Sequence, residues 1–418
     1  MIFVANVLVM NGGSTFLLRA CKELDRRGIE CAVLLLRNEY DEEIFDEVSR
    51  FARIILLSDL LCDKAAIFRA HLGVFAPVRW TALASTLKPF GEHIHTMGVF
   101  GLVFAHRLVK YSDRYRITTG IYHQNEFLYK PTPFYLPTFA MKLFTQLPDV
   151  NVCFFNELSR QNYQNFFGVS YAHAILAPIG IELSNSVTSL DNYSPYRIVS
   201  VGNLSRFKTY NRHMIEVVAS IAKTYSEIRY DIYGAGGEEH NLRSLSKQLG
   251  VSNHVIFHGE IPYSSFGATV QGAALFVGSG TALLEAAYMG IPALIGIESI
   301  ETSETYGFLS DISGFSYNEN SDVFPKQSFL PLVVKTLADR EFRSDLSRAC
   351  KLKAAEFTIE VTIDLFIKLE QQSRPIVPQL QRLTLTRLAF SFLFIAILNR
   401  LGFALSFRDR RNQSYHST

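Results

Sequence analysis

What most constrains the fold of this chain is a repeated alternation. Short runs rich in Val, Ile and Leu are closed by glycine-containing turns and followed by segments with apolar residues at helical spacing. Residues 2–9, IFVANVLV, are a continuous apolar run of the kind that forms a strand buried on both faces. NGGST follows, with Ser14 or Thr15 placed to cap a helix, and Phe16, Leu17, Ala20 and Leu24 then recur at helical spacing up to Gly28. ECAVLLL is the next strand, which completes one βαβ unit. ARIILL (52–57), HIHTMG, RITTGIYHQNEF and VNVCFFNE (150–157) continue the pattern more loosely, with residues 64–88 and VFGLVFAHRLVK reading as helices.

The polar, turn-forming stretch SNSVTSLDNYSP (184–195) reads as a linker, after which the pattern restarts. YRIVSVGN, IRYDIYGAGG, HVIFHGEI, AALFVGSG and PALIGI are strands; RHMIEVVASIAKTY and LRSLSKQLG, closed by Gly250, are helices. Strands alternating with helices predict parallel sheets. The expected architecture is α/β: two Rossmann-like, doubly wound domains facing across a cleft, with a hydrophobic and basic helical tail. At 418 residues the chain is too long for one ordinary core, which agrees with two domains.

Charge excludes one class of partner. A net charge of +2 argues against a nucleic-acid binder. The distribution is uneven, because residues 374–418 hold seven arginines and one aspartate, a balance of +6 that leaves the rest at −4. Five cysteines without CxxC spacing read as free thiols in a reducing cytoplasm and give no zinc site. The start, MIFVANVLVMNGG, lacks the basic region of a signal peptide and reads as a strand and its loop.

In open α/β sheets, ligands bind beyond the carboxyl ends of the strands. That rule selects Gly12–Gly13, His95, His123, the 203–208 loop, Gly234–Gly237, the 258–262 loop and Gly278–Thr281. GAGG after YDIY suggests a dinucleotide turn, but Glu239 stands where the third glycine of GxGxxG would be, and no GK[ST] sequence exists for a phosphate loop.

The ordered segments VGNLSRFKTYNRHMIEVVASI, YDIYGAGGEEHNLRSLSKQLGVSNHVIFHGEIP and LLEAAYMGIPALIG resemble the donor half of GT-B glycosyltransferases of the large retaining family four. NGGSTFLLRACKELDRRGIECAVL is similar to the opening of the same proteins, and the likeness runs over residues 1–372, strong in the second half and loose over 40–180. The resemblance implies a hexosyltransferase-like enzyme. Residues 1–183 would be an acceptor-side domain, 184–195 a linker and 196–358 the nucleotide-sugar donor domain. Residues 359–374 would be a helix crossing back to the first domain, and 375–418 a tail. It implies that Lys208 holds the donor diphosphate and Glu285 the ribose hydroxyls, with Gly12, Gly13, Asn203, Arg206, Gly236, Ile261, Gly280 and Thr281 completing the donor site. His123 would lie near the transferred sugar as a catalytic residue.

Elementary chemistry agrees on the two charged groups. A lysine neutralises a departing diphosphate, and an ionised carboxylate only accepts hydrogen bonds, which suits two adjacent hydroxyls. A helix starting after Thr281 would aim free N–H groups at phosphate. No metal or other cofactor is expected beyond the nucleotide-sugar substrate.

Two positions depart from the family pattern: Asn203 replaces an arginine, which Arg206 would replace, and Val277 stands where a sugar-holding glutamate is common. The donor sugar would then rest on N–H groups of Gly280 and Thr281. These departures keep open a non-catalytic glycan-binding or scaffold protein of the same fold; a sugar-nucleotide epimerase is a third reading, which would need paired carboxylates.

The last segment, LTLTRLAFSFLFIAILNRLGFALSFRDRR (383–411), has Ser391 as the one polar residue between Leu388 and Leu398. Residues 388–407 are long enough to span a bilayer, but Asn399 and Arg400 offset the apolar gain, and the helical phasing is poor because Ile395 and Leu398 intrude on the Ser391 side. An interfacial helix on anionic lipid is expected rather than a span, with packing on protein as the alternative. The functional expectation is transfer of a sugar to a surface-glycan acceptor, lipid-linked, at the inner face of a bacterial membrane.

Overall fold

A computed structural model describes residues 1–62, 68–129, 132–182, 193–322, 324–376 and 382–403. The chain divides into two compact units, Met1–Ile179 with Ile359–Thr418, and Gly180–Thr358.

The first unit is built on a seven-stranded sheet of β1 (Ile2–Ala5), β2 (Ala32–Leu35), β3 (Arg53–Leu56), β4 (His93–Met97), β5 (Arg116–Gly120), β6 (Val152–Phe154) and β7 (Ile175–Leu176). Its order is β3-β2-β1-β4-β5-β6-β7, and all pairs are parallel. The second unit has five parallel strands, β8 (Ser194–Val201), β9 (Arg229–Tyr233), β10 (Val255–Gly259), β11 (Ala273–Gly278) and β12 (Ala293–Ile295), in the order β10-β9-β8-β11-β12. A short antiparallel ribbon, Glu304–Thr305 with Gln327–Ser328, lies outside both sheets. The apolar runs behave as their composition dictates: β1 and β11 are buried along their whole length, as in sheets covered by helices on both faces.

Both sheets reverse direction once, between β1 and β4 and between β8 and β11. Connections on either side of such a switch point leave in opposite directions, which opens a crevice at the strands' carboxyl ends. The loops after these four strands are therefore where ligands can reach the backbone.

Three local expectations are corrected. The first helix, Gly12–Arg26, is capped by Asn11, whose side chain accepts Gly13 N–H and Ser14 N–H at 2.9 and 3.0 Å, so neither Ser14 nor Thr15 is the cap. The expected helix over 64–88 is broken. Residues 63–67 lie outside the described residues, Phe68–Leu72 is a single wide turn, Gly73–Phe75 a tight one, and Trp80–Leu87 the helix. Pro77 cannot continue a hydrogen-bonded helix, which accounts for the break. Of the 184–195 linker, residues 184–192 lie outside the described residues, and β8 already begins at Ser194, whose N–H donates to Gly272 O at 2.9 Å.

The tail is covered along one face only. The helix Arg382–Arg400 lays one face on the first unit, where Leu388 is fully buried and Leu385, Phe392 and Leu393 join the same core. Leu136 N–H donates to Ser391 Oγ at 3.0 Å, and the Phe392 ring lies 5.5 Å from Phe100 and 6.1 Å from Phe75. The segment thus packs on protein along one side. Residues 404–411 of the expected 383–411 segment lie outside the described residues. Among the described residues, no helix is long and apolar enough to cross a membrane. All five cysteines are free thiols, Cys62 exposed and the others buried.

Candidate functional site

In the second unit, β8 ends at Gly202 and the chain turns through Asn203–Lys208. Asn203 and Arg206 are exposed, and Lys208 is half-buried. Leu204, fully buried, anchors the turn, and its N–H donates to Ala235 O at 2.9 Å. The loops after β8 and β9 touch backbone to backbone. A Cβ on Gly234 would meet Gly202 O at 2.1 Å, and one on Gly202 (φ +149°) would stand 2.8 Å from Lys208 Nζ. Only residues without side chains allow this approach, and it lets the ammonium settle over the end of β8. Gly236 is exposed in the same β9 turn, and Ile261 is half-buried after β10.

The loop after β11 leads into the helix Gly280–Tyr288. Gly280 takes φ +65° at its first position, a conformation that favours glycine, and Ser279 makes no capping bond to the helix. The Ser279 hydroxyl donates instead to Glu298 Oε1 at 2.8 Å. Glu285 lies in the second turn, where Tyr263 Oη donates to its Oε1 at 3.1 Å. Lys208 and Glu285 therefore follow the neighbouring strands β8 and β11, one on each side of the switch point.

Glu298 and Tyr263 were not singled out from the sequence, and Ser279 only as part of Gly278–Thr281. Glu298 follows β12, and its loop is tied to the lysine loop because Ser299 N–H donates to Phe207 O at 2.6 Å. Ser299 has φ +59°, the one non-glycine residue with positive φ among those described, so the loop is held in a conformation it would not choose alone. Burial pushes the Glu298 carboxyl above its usual range, while Lys208, Ser279 and Asn318 pull it back. Lys208 thus shares an electrostatic neighbourhood with the carboxylate that holds the β11 turn.

In the first unit, a cavity of about 180 Å³ opens beyond β1 and β4, lined by Asn11, Gly13, Ser14, Gly98, Tyr122, His123 and Glu126 among others. His123 is exposed at this cavity, as its place after β5 predicts, and Gly12 is exposed beside it. The Gly13 N–H is already given to Asn11. Glu126, almost fully buried, accepts Val99 N–H at 3.3 Å and so occupies the start of the helix Gly98–Tyr111, where Met97 provides no cap. It sits in the YHQNEF stretch, three residues after His123, and is the carboxylate the sequence left unremarked.

His95 is corrected. It is fully buried, with Nδ1 3.0 Å from Thr118 Oγ1, Nε2 2.9 Å from Tyr122 Oη and its ring 4.7 Å from Phe366. Burial holds its pKa well below the ordinary value, with His93 adding to the effect. It is a neutral core residue of β4.

The two switch points differ in one respect that bears on ligands. Both helix starts in the first unit are occupied by the chain's own oxygen atoms, from Asn11 and Glu126. In the second unit, the starts of Tyr210–Ile221 and Gly280–Tyr288 have no capping side chain at Thr209 or Ser279. Free N–H groups and the positive end of the helix dipole are what a phosphate seeks.

Comparison with known proteins adds the following. Residues 187–301 match the family of glycosyl transferases group 1. A protein of Haemophilus influenzae described as an uncharacterized glycosyltransferase is 30% identical over 101 residues, which is 24% of this chain and 28% of that protein, so the chain spans little more than a quarter of that relative's length. Among solved structures, the fold is similar to Anabaena HepE, solved with UDP and glucose (TM-score 0.61, 13% identity, 88% of this chain and 98% of that one). It is also similar to a Staphylococcus aureus TarM mutant solved with fondaparinux, alpha-GlcNAc-glycerol and UDP (0.62, 11%, 88% and 99%). A third is WaaB, a lipopolysaccharide outer core galactosyltransferase (0.58, 12%, 88% and 98%). At these identities the structural likeness is one of fold, two parallel-sheet α/β domains of the GT-B kind.

Proposed function

We propose that this chain, whose residues 187–301 match the glycosyl transferases of group 1, moves a sugar from a nucleotide-diphosphate sugar to a surface-glycan acceptor, with retention at the anomeric carbon. The observation that carries the reading is the pair of uncapped helix starts flanking Lys208 at the β8/β11 switch point, inside the stretch that matches the family. The diphosphate lies over Gly202 and Gly280, with Lys208 against its charge. Glu285, steadied by Tyr263, accepts hydrogen bonds from the ribose hydroxyls. Asn203, Arg206, Gly236, Ile261 and Thr281 line the same loops.

In the retaining step, the bond from the anomeric carbon to the diphosphate oxygen breaks, and the acceptor oxygen bonds to that carbon on the same face. The acceptor's proton passes to the departing phosphate oxygen. Lys208 stabilises the charge that develops there. Gly13 and His123, which line the cavity of the first unit, with Gly12 next to Gly13 in the chain, offer groups suited to saccharide hydroxyls. The UDP solved in HepE and TarM supports a nucleoside diphosphate as the ligand class, and the lipopolysaccharide outer core galactosyltransferase WaaB supports an acceptor of the lipopolysaccharide kind. We infer a lipid-linked acceptor met by a peripheral protein at the inner membrane face.

Titration of the purified protein with UDP, GDP and their sugars tests this. Each charge-assisted bond removed should cost about 1.5–3 kcal/mol, so Lys208→Ala and Glu285→Ala should each weaken binding roughly tenfold to a hundredfold. Wild-type protein that ignores every nucleotide would favour the non-catalytic scaffold reading, for which Asn203 and Val277 are the motive.

A further inference from the structure

The helix Arg382–Arg400 and the residues just after it carry a second apolar face. Phe390, Phe394, Ile397, Leu401 and Phe403 are each more than half exposed. At about 3.6 residues per turn, Phe390, Phe394, Ile397 and Leu401 fall on a single strip, on an arc of roughly 60° and along about 16 Å of helix. Leu388 and Ile395 are buried on the opposite side. The helix is therefore apolar on two faces, one of which is covered by its own unit. Monomeric proteins rarely leave such a contiguous strip open unless something docks on it.

The charges around the strip identify the occupant. Exposed Arg387 and Arg400 flank it on either side. No acidic residue occurs in the sequence between Glu370 and Asp409, and Arg408, Arg410 and Arg411 follow the helix. A second copy of this chain would bring an equally basic segment against the first. An anionic bilayer offers both acyl chains for the phenylalanines and phosphate groups for the arginines.

We infer that the Phe390–Leu401 strip is a monotopic membrane anchor: the Arg382–Arg400 helix lies flat between its own unit and the headgroup region of an anionic bilayer, without crossing it. The inference gives a partner to the peripheral location proposed above and rests on it for its biological purpose alone, because lipid binding is read without any nucleotide.

The test is co-sedimentation of the full-length protein with vesicles of phosphatidylcholine alone and mixed with phosphatidylglycerol. Wild-type protein is expected to sediment with the anionic vesicles, weakly with the neutral ones, and less as salt rises. Each of Phe390→Ser and Phe394→Ser should weaken partitioning by about tenfold, and Arg387→Gln or Arg400→Gln by about fivefold on anionic vesicles only. Phe390, Arg387 and Arg400 face outward, so melting temperatures of their variants should hold. Phe394→Ser also loses an edge contact with Phe134 at 6.1 Å and is read beside its own melting temperature. Leu352→Ser, an exposed leucine of the other unit, is the control and should change nothing. Failure of the wild type to sediment overturns the proposal, as does a Phe390→Ser/Phe394→Ser protein that sediments as the wild type does. A wild-type dimer in light scattering that the same pair of changes converts to monomer, with no vesicle binding, would assign the strip to a second copy instead. If nucleotide titration fails while vesicle binding persists, the enzymatic reading falls and the anchor stands.

Discussion

Glu319 offers a direct test of how the loops beneath the donor site are held. It is buried, its Oε2 accepts Tyr317 N–H at 3.2 Å, and Glu298 is its charged neighbour. Burial pushes its pKa from 4.5 up to about 7, and Glu298 adds to the rise. A carboxyl whose folded pKa exceeds its unfolded one binds its proton more tightly in the native state. Its contribution to stability is then complete below pH 4.5 and is lost as pH climbs through 7. At about 1.4 kcal/mol per pK unit, that interval amounts to about 3 kcal/mol. Glu319→Gln keeps the shape and cannot ionise, so its stability should lack this decline. The difference between variant and wild type should grow in favour of glutamine from pH 4.5 to 7 and level off above. The single tryptophan, Trp80, reports on the first unit, so the second is better followed by hydrogen exchange of its own peptides across a urea series at several pH values. Wild-type and variant curves that stay parallel over this range would refute the argument. A second check is internal: Glu298→Gln removes the neighbouring charge that helps raise the Glu319 pKa, so the decline should become smaller and end at lower pH.

Two further substitutions probe the lysine. Gly202→Ala places a methyl group 2.8 Å from Lys208 Nζ, at φ +149°, so it should displace the ammonium and weaken nucleoside diphosphate binding by about tenfold. Calorimetric titration of the Gly202→Ala/Lys208→Ala protein should show little loss beyond Lys208→Ala, and additive losses would mean the glycine acts by another route. Glu298→Ala frees Ser279 and removes the charge near Lys208, and it should weaken binding by about fivefold to tenfold. Glu298→Gln retains an acceptor for the Ser279 hydroxyl and should bind within about twofold of wild type; equal losses in both variants would show that charge, not the hydrogen bond, is what matters.

The sheets could be read from the sequence because their strands are buried on both faces and so appear as unbroken apolar runs, β1 and β11 most plainly. Lys208 and Glu285 were singled out by the resemblance of their segments to a family; the apolar runs before them only place them beyond strands β8 and β11. Glu298, Tyr263 and Glu126 were not. The bonds Ser279–Glu298 and Tyr263–Glu285 join loops about twenty residues apart, and no local pattern signals which loops a sheet order will bring together. The cap of the first helix was misassigned because Asn11, Ser14 and Thr15 are all competent caps, and the end of β1 decides among them. His95 looked like a site residue because it ends an apolar strand; its side chain turns inward to Tyr122. The tail helix defeated phasing for a different reason. With apolar residues on opposite faces, the two sides cancel, and the pattern shows neither.

The same two sheet orders also explain why one unit and not the other should take the anionic end of a nucleotide. In each, the switch point brings two helix starts together, and each start carries the equivalent of roughly half a positive charge. The first unit spends this potential internally. Asn11 takes two N–H groups of one helix and Glu126 an N–H of the other, and Glu126 also brings a carboxylate that would repel phosphate. What is left is a polar cavity of about 180 Å³ suited to hydroxyl groups. The second unit has no capping side chain at Thr209 or Ser279, uses glycines where side chains would block the approach, and brings an ammonium over the end of β8. Ser279 has the residue type of a cap, yet its hydroxyl is held by Glu298. A diphosphate placed there finds N–H donors that owe nothing to the protein's own stability, whereas one placed in the first unit would first have to displace a cap worth about 1 kcal/mol. The proposed division of labour between the units rests on which helix starts the chain has already satisfied.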